Sequence, residues 1–191
     1  MGYMACQNAN SDQALRGTVG GGYGATVSKT MGWDKAIKSG LGSASINHGD
    51  LVVSALVVVN ALGDIYDGNT QITGPFDREK RKLYSSLDFI KNAQIGFSNT
   101  NTTIGIIATN ARLDKAQANK LAELGHNAYA RQIVPVHTNF DGDTIFALGT
   151  NEIQADVNLV GVLAVEAMEK AIVNAIKSAK SYKNFKAAVD L

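Results

Sequence analysis

The run Asp50–Gly63, DLVVSALVVVNALG, constrains the fold more than any other stretch of this chain. It is rich in Val and Leu and hardly alternates with polar residues. β-Branched residues suit a pleated strand, and a strand apolar on both sides reads as one buried on both sides. Ser54 and Asn60 interrupt it, and it falls short of the roughly 20 apolar residues that cross a bilayer. A soluble, layered fold follows, with helices packed on a sheet.

The flanking segments extend that picture. Residues 2–9 read as the end of a helix. Residues 17–32, GTVGGGYGATVSKTMG, form a Gly-dense loop. Ile37–His48 reads as a strand whose small residues let another element pack close. Gly63–Pro75 is turn-rich, most sharply at Asp67-Gly68-Asn69. Phe76–Asn92 is polar and moderately helical, and is expected to be an exposed, mobile excursion. Thr102–Thr109, TTIGIIAT, is expected to be a second buried strand, and Asp143–Leu148, DTIFAL, a short third one. Asp114–Ile133 reads as a helix. Val157–Ala179 reads as a longer one, with Val160, Leu163, Ala164, Ala167, Met168, Ala171, Ile172, Ala175 and Ile176 recurring at three and four. The order predicts an α+β architecture in a single domain over residues 1–191.

Composition removes several classes of function. Eighteen basic residues face 17 acidic ones, giving a net charge of +1, which argues against nucleic-acid or membrane-surface binding driven by bulk charge. One cysteine, Cys6, rules out an internal disulfide framework and a multi-cysteine zinc site. The N-terminus lacks a basic stretch followed by an apolar one, so a cytoplasmic location is expected. His48, His126 and His137 show no metal-ligand spacing; His126 and His137 read as structural. Gly20, Gly22 and Ala25 satisfy G-x-G-x-x-A, but no clear strand precedes them and no helix clearly follows. The glycines then read as a loop passing close to another backbone or lining a tight cleft. No cofactor and no metal are expected.

Two segments carry chemistry. Ser98-Asn-Thr-Asn-Thr-Thr103 places four hydroxyl residues directly before a strand. It reads as a polar turn or as a masked nucleophile. If the Asn101–Thr102 bond were cut, Thr102 would carry a hydroxyl and a free α-amine, whose pKa of about 8 suits a base acting on its own hydroxyl. Phe140-Asp141-Gly142-Asp143 places two carboxylates two residues apart before another strand. Asp-Gly is a common turn; alternatively, one carboxylate orients the hydroxyl and the other holds the amine in its ammonium form.

At these residues the chain resembles the L-aminopeptidase/D-esterases, β-peptidyl aminopeptidases and endo-type 6-aminohexanoate-oligomer (nylon) hydrolases. The resemblance is carried by residues 17–32, by LVVVNALGDIYD at 56–67, by residues 101–150 from NTTIGIIATN to DGDTIFALGT, and by the final helix. It implies an αββα sandwich of N-terminal-nucleophile type that cuts itself at Asn101–Thr102. Residues 1–101 would then belong to an α chain and 102–191 would be the β chain. It further implies Thr102 as nucleophile, Asn60 in the oxyanion hole, Lys29 near the nucleophile, and Asp141 and Asp143 as the acidic pair that orients it. Asp-Asp in place of Ser-Glu, and Asn-Thr in place of Gly-Ser, lean toward the nylon-oligomer branch. The substrate would be a small linear amide or peptide, and the assembly a homo-oligomer, a tetramer of α/β heterodimers. The N-terminal part of the family fold has no counterpart here. Two rivals therefore stand beside the amide hydrolase: an aminopeptidase acting on small peptides, and an inactive, truncated scaffold that only oligomerises.

Overall fold

The computed structural model describes residues 2–10, 12, 15–92 and 101–191. Its centre is a sheet of four strands: β1 (Leu41–His48), β2 (Leu51–Val58), β3 (Ile104–Ala111) and β4 (Thr144–Ile153). They lie in the order β4-β3-β2-β1. β1 and β2 form an antiparallel hairpin, from Leu41 opposite Val58 to His48 opposite Leu51. β2 runs antiparallel to β3, and β3 parallel to β4.

Two helices cover one face. α1 (Lys115–Gln132) is the crossover that parallel β3 and β4 require, and α2 (Val157–Lys177) follows β4. α2 packs across β1 and β2, α1 packs on β4, and the helices pack on each other. The sequence fixes where α1 starts. Asp114 accepts from the Gln117 amide at 2.8 Å, while the Gln117 side chain accepts from the Asp114 amide at 2.9 Å, a complete capping box. All nine apolar positions expected at three-and-four spacing in α2 are buried.

The sheet corrects the expectation of strands buried on both sides. Leu51, Val53, Ala55 and Val57 point inward and are at most 4% exposed, whereas Val52 on the other face is 37% exposed. The same alternation leaves Ile104, Ile106, Phe146 and Leu148 open on that outer face. Apolar composition records what a position favours; whether a second layer covers it is a separate matter. β4 is also longer than the expected DTIFAL, because its second half, Gly149–Ile153, is mostly polar and carries a register shift.

Smaller elements surround this core. Gly2–Gln7 is helical, as expected. In the Gly-dense loop, a Cβ on Gly22 would lie 2.2 Å from the Leu41 amide nitrogen, so this loop does pass close to another backbone. The Asp67-Gly68-Asn69 turn joins Asp64–Asp67 to Thr70–Gln71. The Phe76–Asn92 excursion is a small hairpin followed by the helix Ser86–Asn92. It is tethered rather than simply exposed: buried Asp64 accepts from the Ser86 amide at 2.6 Å and from its hydroxyl at 2.5 Å. Burial raises the Asp64 carboxyl to about 6, although these bonds favour the charged form. Among the described residues, no helix is long and apolar enough to cross a membrane.

Candidate active site

The sheet topology brings three distant segments together. β2 ends where β3 and β4 begin: Ile104 pairs with Val58 on one side and with Thr144 on the other. Continuing each strand by two residues reaches Asn60, Thr102 and Gly142. The ladders do continue there. The Thr102 amide donates to the Asn60 carbonyl at 3.0 Å, and the Gly142 amide to the Asn101 carbonyl at 2.9 Å. Thr144 donates to the Thr103 carbonyl at 3.0 Å, and Asn101 bridges Asp141 in parallel fashion. Rigid strand ends therefore hold the Asn101–Thr102 peptide from both sides. Residues 98–100 of the hydroxyl-rich stretch lie outside the described residues.

Lys29 enters from the Gly-dense loop. Its amide pairs with the Leu62 carbonyl at 3.0 Å, beside Ser28, which pairs with Gly63. The Lys29 ammonium donates to Asn60 Oδ1 at 2.9 Å and approaches the Asn60 carbonyl at 3.4 Å. The Thr26 amide also reaches Oδ1, at 3.3 Å. Two donors on Oδ1 fix the orientation of the side-chain amide. Lys29 is buried and its Nζ lies 5.4 Å from the centre of the Trp33 ring. Burial lowers its pKa to about 8, against the raising effect of Asp141.

Thr102 directs its hydroxyl at the Asn101 carbonyl oxygen, 2.6 Å away. That oxygen therefore receives two donors, the Thr102 hydroxyl and the Gly142 amide. The aspartates sit close by, yet neither hydrogen-bonds the Thr102 hydroxyl. Asp141 Oδ2 accepts from the amide and the hydroxyl of Thr138, at 3.0 and 2.6 Å. Asp143 Oδ1 accepts from the Thr103 amide at 2.8 Å, and Oδ2 meets His137 Nδ1 at 2.9 Å. Burial raises the Asp143 carboxyl, and Asp141 adds to the rise, while the Thr103 amide and His137 oppose it.

All five expected site residues thus gather at one end of the sheet. The structure adds partners that sequence reasoning passes over. His137 and His126, read as structural from the sequence, meet each other: His137 Nε2 lies 3.2 Å from His126 Nδ1. Thr138 fixes Asp141, and Gly142 both binds the Asn101 carbonyl and leaves room for the Thr102 hydroxyl. Nothing in residue spacing marks these. Among the described residues, no group of three His, Cys, Asp or Glu side chains is placed to hold a metal ion.

Comparison with known proteins gives the family and the fold. The chain is 33% identical over 208 residues to an uncharacterized aminopeptidase of Mycobacterium leprae, covering 94% of itself and 56% of that protein. It is 30% identical over 196 residues to the 6-aminohexanoate-oligomer endohydrolase of Paenarthrobacter ureafaciens, covering 93% of itself and 55% of that protein. It therefore spans about half the length of these relatives. Among solved structures, a Burkholderia sp. β-aminopeptidase matches 97% of the chain and 53% of its own, with TM-score 0.63 and 22% identity. An L-aminopeptidase D-Ala-esterase/amidase from Ochrobactrum anthropi, described as a variant of the Ntn hydrolase fold, matches 97% of the chain and 52% of its own, with TM-score 0.64 and 20% identity. The helix layer and sheet layer seen here are thus part of an N-terminal-nucleophile-type fold. The profile of Peptidase family S58 matches residues 2–189, and the chain belongs to that family.

Proposed function

We propose that this chain is the catalytic part of a self-processing amide hydrolase with Thr102 as its nucleophile. The observation that carries the reading is the convergence on one peptide bond: the Thr102 hydroxyl and the Gly142 amide meet at the Asn101 carbonyl, and the Asn60 carbonyl holds the Thr102 nitrogen.

Self-cleavage comes first. The Thr102 oxygen bonds to the Asn101 carbonyl carbon, and the Gly142 amide stabilises the negative charge on the carbonyl oxygen. The C–N bond then breaks, the proton lost from the Thr102 hydroxyl ends on the Thr102 nitrogen, and an ester joins Asn101 to Thr102. Water hydrolyses the ester, leaving an Asn101 carboxylate and a free Thr102 α-amine. Lys29, with its pKa near 8, exchanges protons readily near neutral pH and contacts Asn60, which holds the leaving nitrogen. Residues 1–101 and 102–191 remain as two pieces of one domain.

Hydrolysis of a substrate reuses the site. The freed α-amine takes the proton from the Thr102 hydroxyl, which attacks a linear amide, and passes it to the leaving amine. Asn60 Nδ2 binds the oxyanion, a contribution worth about 3–4 kcal/mol per donor. The Asp141/Asp143 pair shapes the loop beneath, and water releases the acyl-enzyme.

The Asp-Asp pair and the Asn-Thr junction favour linear amides such as 6-aminohexanoate oligomers as substrates. The second reading, an aminopeptidase on small peptides, rests on the 33% identity to the Mycobacterium leprae aminopeptidase, against 30% to the endohydrolase. Release of amine from an N-blocked oligoamide and from an amino-acid p-nitroanilide separates the two. We expect the oligoamide to be cleaved, and Thr102→Ala to lose at least 1,000-fold; an unaffected Thr102→Ala would overturn the assignment. We also propose a cytoplasmic location and, as the family resemblance implies, a homo-oligomer; the outer face with Ile104, Ile106, Phe146 and Leu148 is where the second sheet of an αββα sandwich would pack. Light scattering that reads a monomer would contradict the oligomer, and fractionation that recovers the protein outside the cytoplasm would contradict the location.

A further inference from the structure

Beneath Thr102 lies a row of ionisable groups of which the chemistry above uses only Asp143. Asp143, whose side chain is 3% exposed, grips the Thr103 amide with Oδ1 and His137 with Oδ2. His137 in turn touches His126, which projects from α1. The two imidazoles meet edge to face with their centres 4.8 Å apart, and Tyr129 lies 5.4 Å from His126 and 6.1 Å from His137. His137 has φ +54°, a left-handed backbone that few non-glycine residues adopt. Such a conformation persists when the surroundings hold it, and it is common near functional sites.

We propose that His137, backed by His126, is a positioning residue for Thr102: the two imidazoles and Asp143 form one hydrogen-bonded relay that holds the Thr102–Thr103 backbone and ties self-cleavage to the protonation of the pair. This inference rests on Thr102 being the nucleophile, and it adds a regulatory element to that site.

Proton counting gives the relay its direction. The 3.2 Å His126–His137 contact needs one donor and one acceptor. In the neutral pair, His137 Nδ1–H donates to Asp143 while His137 Nε2 accepts from His126. One added proton is accommodated by the pair, because the contact still has one donor and one acceptor whichever ring carries it. A second proton sets N–H against N–H and breaks the contact. Among the described residues, the groups facing the pair are few. α1 supplies His126 and Tyr129; the 137–143 loop supplies Asp141 and Asp143; the start of β3 supplies only the uncharged Thr102 and Thr103. Lys29 reaches the cluster through Asp141. Burial and Asp143 both raise the Tyr129 hydroxyl, so it stays neutral through this range. His126 is lowered by burial and by His137, against the raising effect of Asp143, which sets the second protonation on the acid side.

The test uses the full chain and the pH profile of its self-cleavage, read by intact mass. In wild type, the rate should fall steeply on the acid side as the second proton enters. His137→Gln keeps a donor for Asp143 but does not titrate, so this acid limb should shift or flatten. His137→Ala should slow cleavage by about 10- to 100-fold at every pH. His48→Gln, at the far end of β1, serves as control and should reproduce the wild-type profile. NMR titration in a Thr102→Ala background reads the relay without catalysis: His126 should titrate at higher pH once His137→Gln removes the repulsion. A His137→Gln profile identical to wild type, or a His126 midpoint that ignores His137→Gln, overturns the relay alone. A wild type that neither cleaves nor reacts with a hydroxyl-directed acylating probe takes down the Thr102 reading and this inference together.

Discussion

Replacing Gly142 with Ala is expected to stop the chain from cutting itself while leaving the fold intact. A Cβ at position 142 would lie 2.8 Å from the Thr102 hydroxyl oxygen. Real Cβ atoms do not approach that closely, so something must give. The Gly142 backbone is not left-handed, so Ala fits its conformation without strain. The part that gives is the Thr102 side chain, which rotates its hydroxyl away from the Asn101 carbonyl. A misplacement of about 1 Å costs roughly 100-fold in rate. Self-cleavage followed by intact mass should therefore slow by about 100-fold or more, with the melting temperature within a few degrees of wild type. Cleavage at the wild-type rate would mean that the observed hydroxyl geometry is not the reacting one.

A change at Gly42 should have the opposite profile, destroying the fold itself. Gly42 lies in β1 directly beneath α2, where a Cβ would come 1.9 Å from the Ala171 carbonyl oxygen and 2.6 Å from the Ala175 nitrogen. Both neighbours are backbone of the helix that carries much of the core, so neither can rotate aside. Overpacking a core by a methyl typically costs about 1–3 kcal/mol, and more where the neighbour is rigid. Gly42→Ala should lose about 4 kcal/mol, measured by urea unfolding, and Gly42→Val should fail to accumulate as folded protein. A Gly42→Val chain as stable as wild type would show that α2 does not seat on β1 in this way.

Much of the scaffold was legible because local chemistry dictated it. The helix Asp114–Ile133 was readable from its apolar spacing, the structure adding the Asp114/Gln117 capping box at its start, and the three-and-four repeat from Val160 to Ile176 marked the inner face of α2. The small residues of Ile37–His48 did announce a close approach, which proves to be Gly42 against α2. Thr102 and the Asp141/Asp143 pair stood out as a hydroxyl and two carboxylates at the starts of expected strands, whereas Asn60 and Lys29 came only from the family resemblance. What stayed hidden depends on topology. Sequence alone could not show the outer face of β2 and β3 to be open, since Val52, Ile104 and Ile106 look like core residues. His137 meets His126 only because the chain leaves α1 and turns back on itself. Lys38 is the strongest case. Lysine normally marks surface, yet Lys38 is 1% exposed and donates to the carbonyls of Gly22, Ala25 and Ser39 at 2.9, 2.8 and 2.6 Å. Burial lowers its pKa to about 8. It ties the Gly-dense loop to the segment leading into β1, and no periodicity reports that.

The central claim is that Thr102 becomes an N-terminal nucleophile by cutting the bond before it. Intact mass of the purified chain, with N-terminal sequencing of any fragments, tests this most directly. Wild type should resolve into pieces 1–101 and 102–191, the second beginning Thr-Thr-Ile-Gly, while Thr102→Ala should remain one chain. Splitting of Thr102→Ala at the same bond, or a wild type whose second piece starts at another residue, would contradict it.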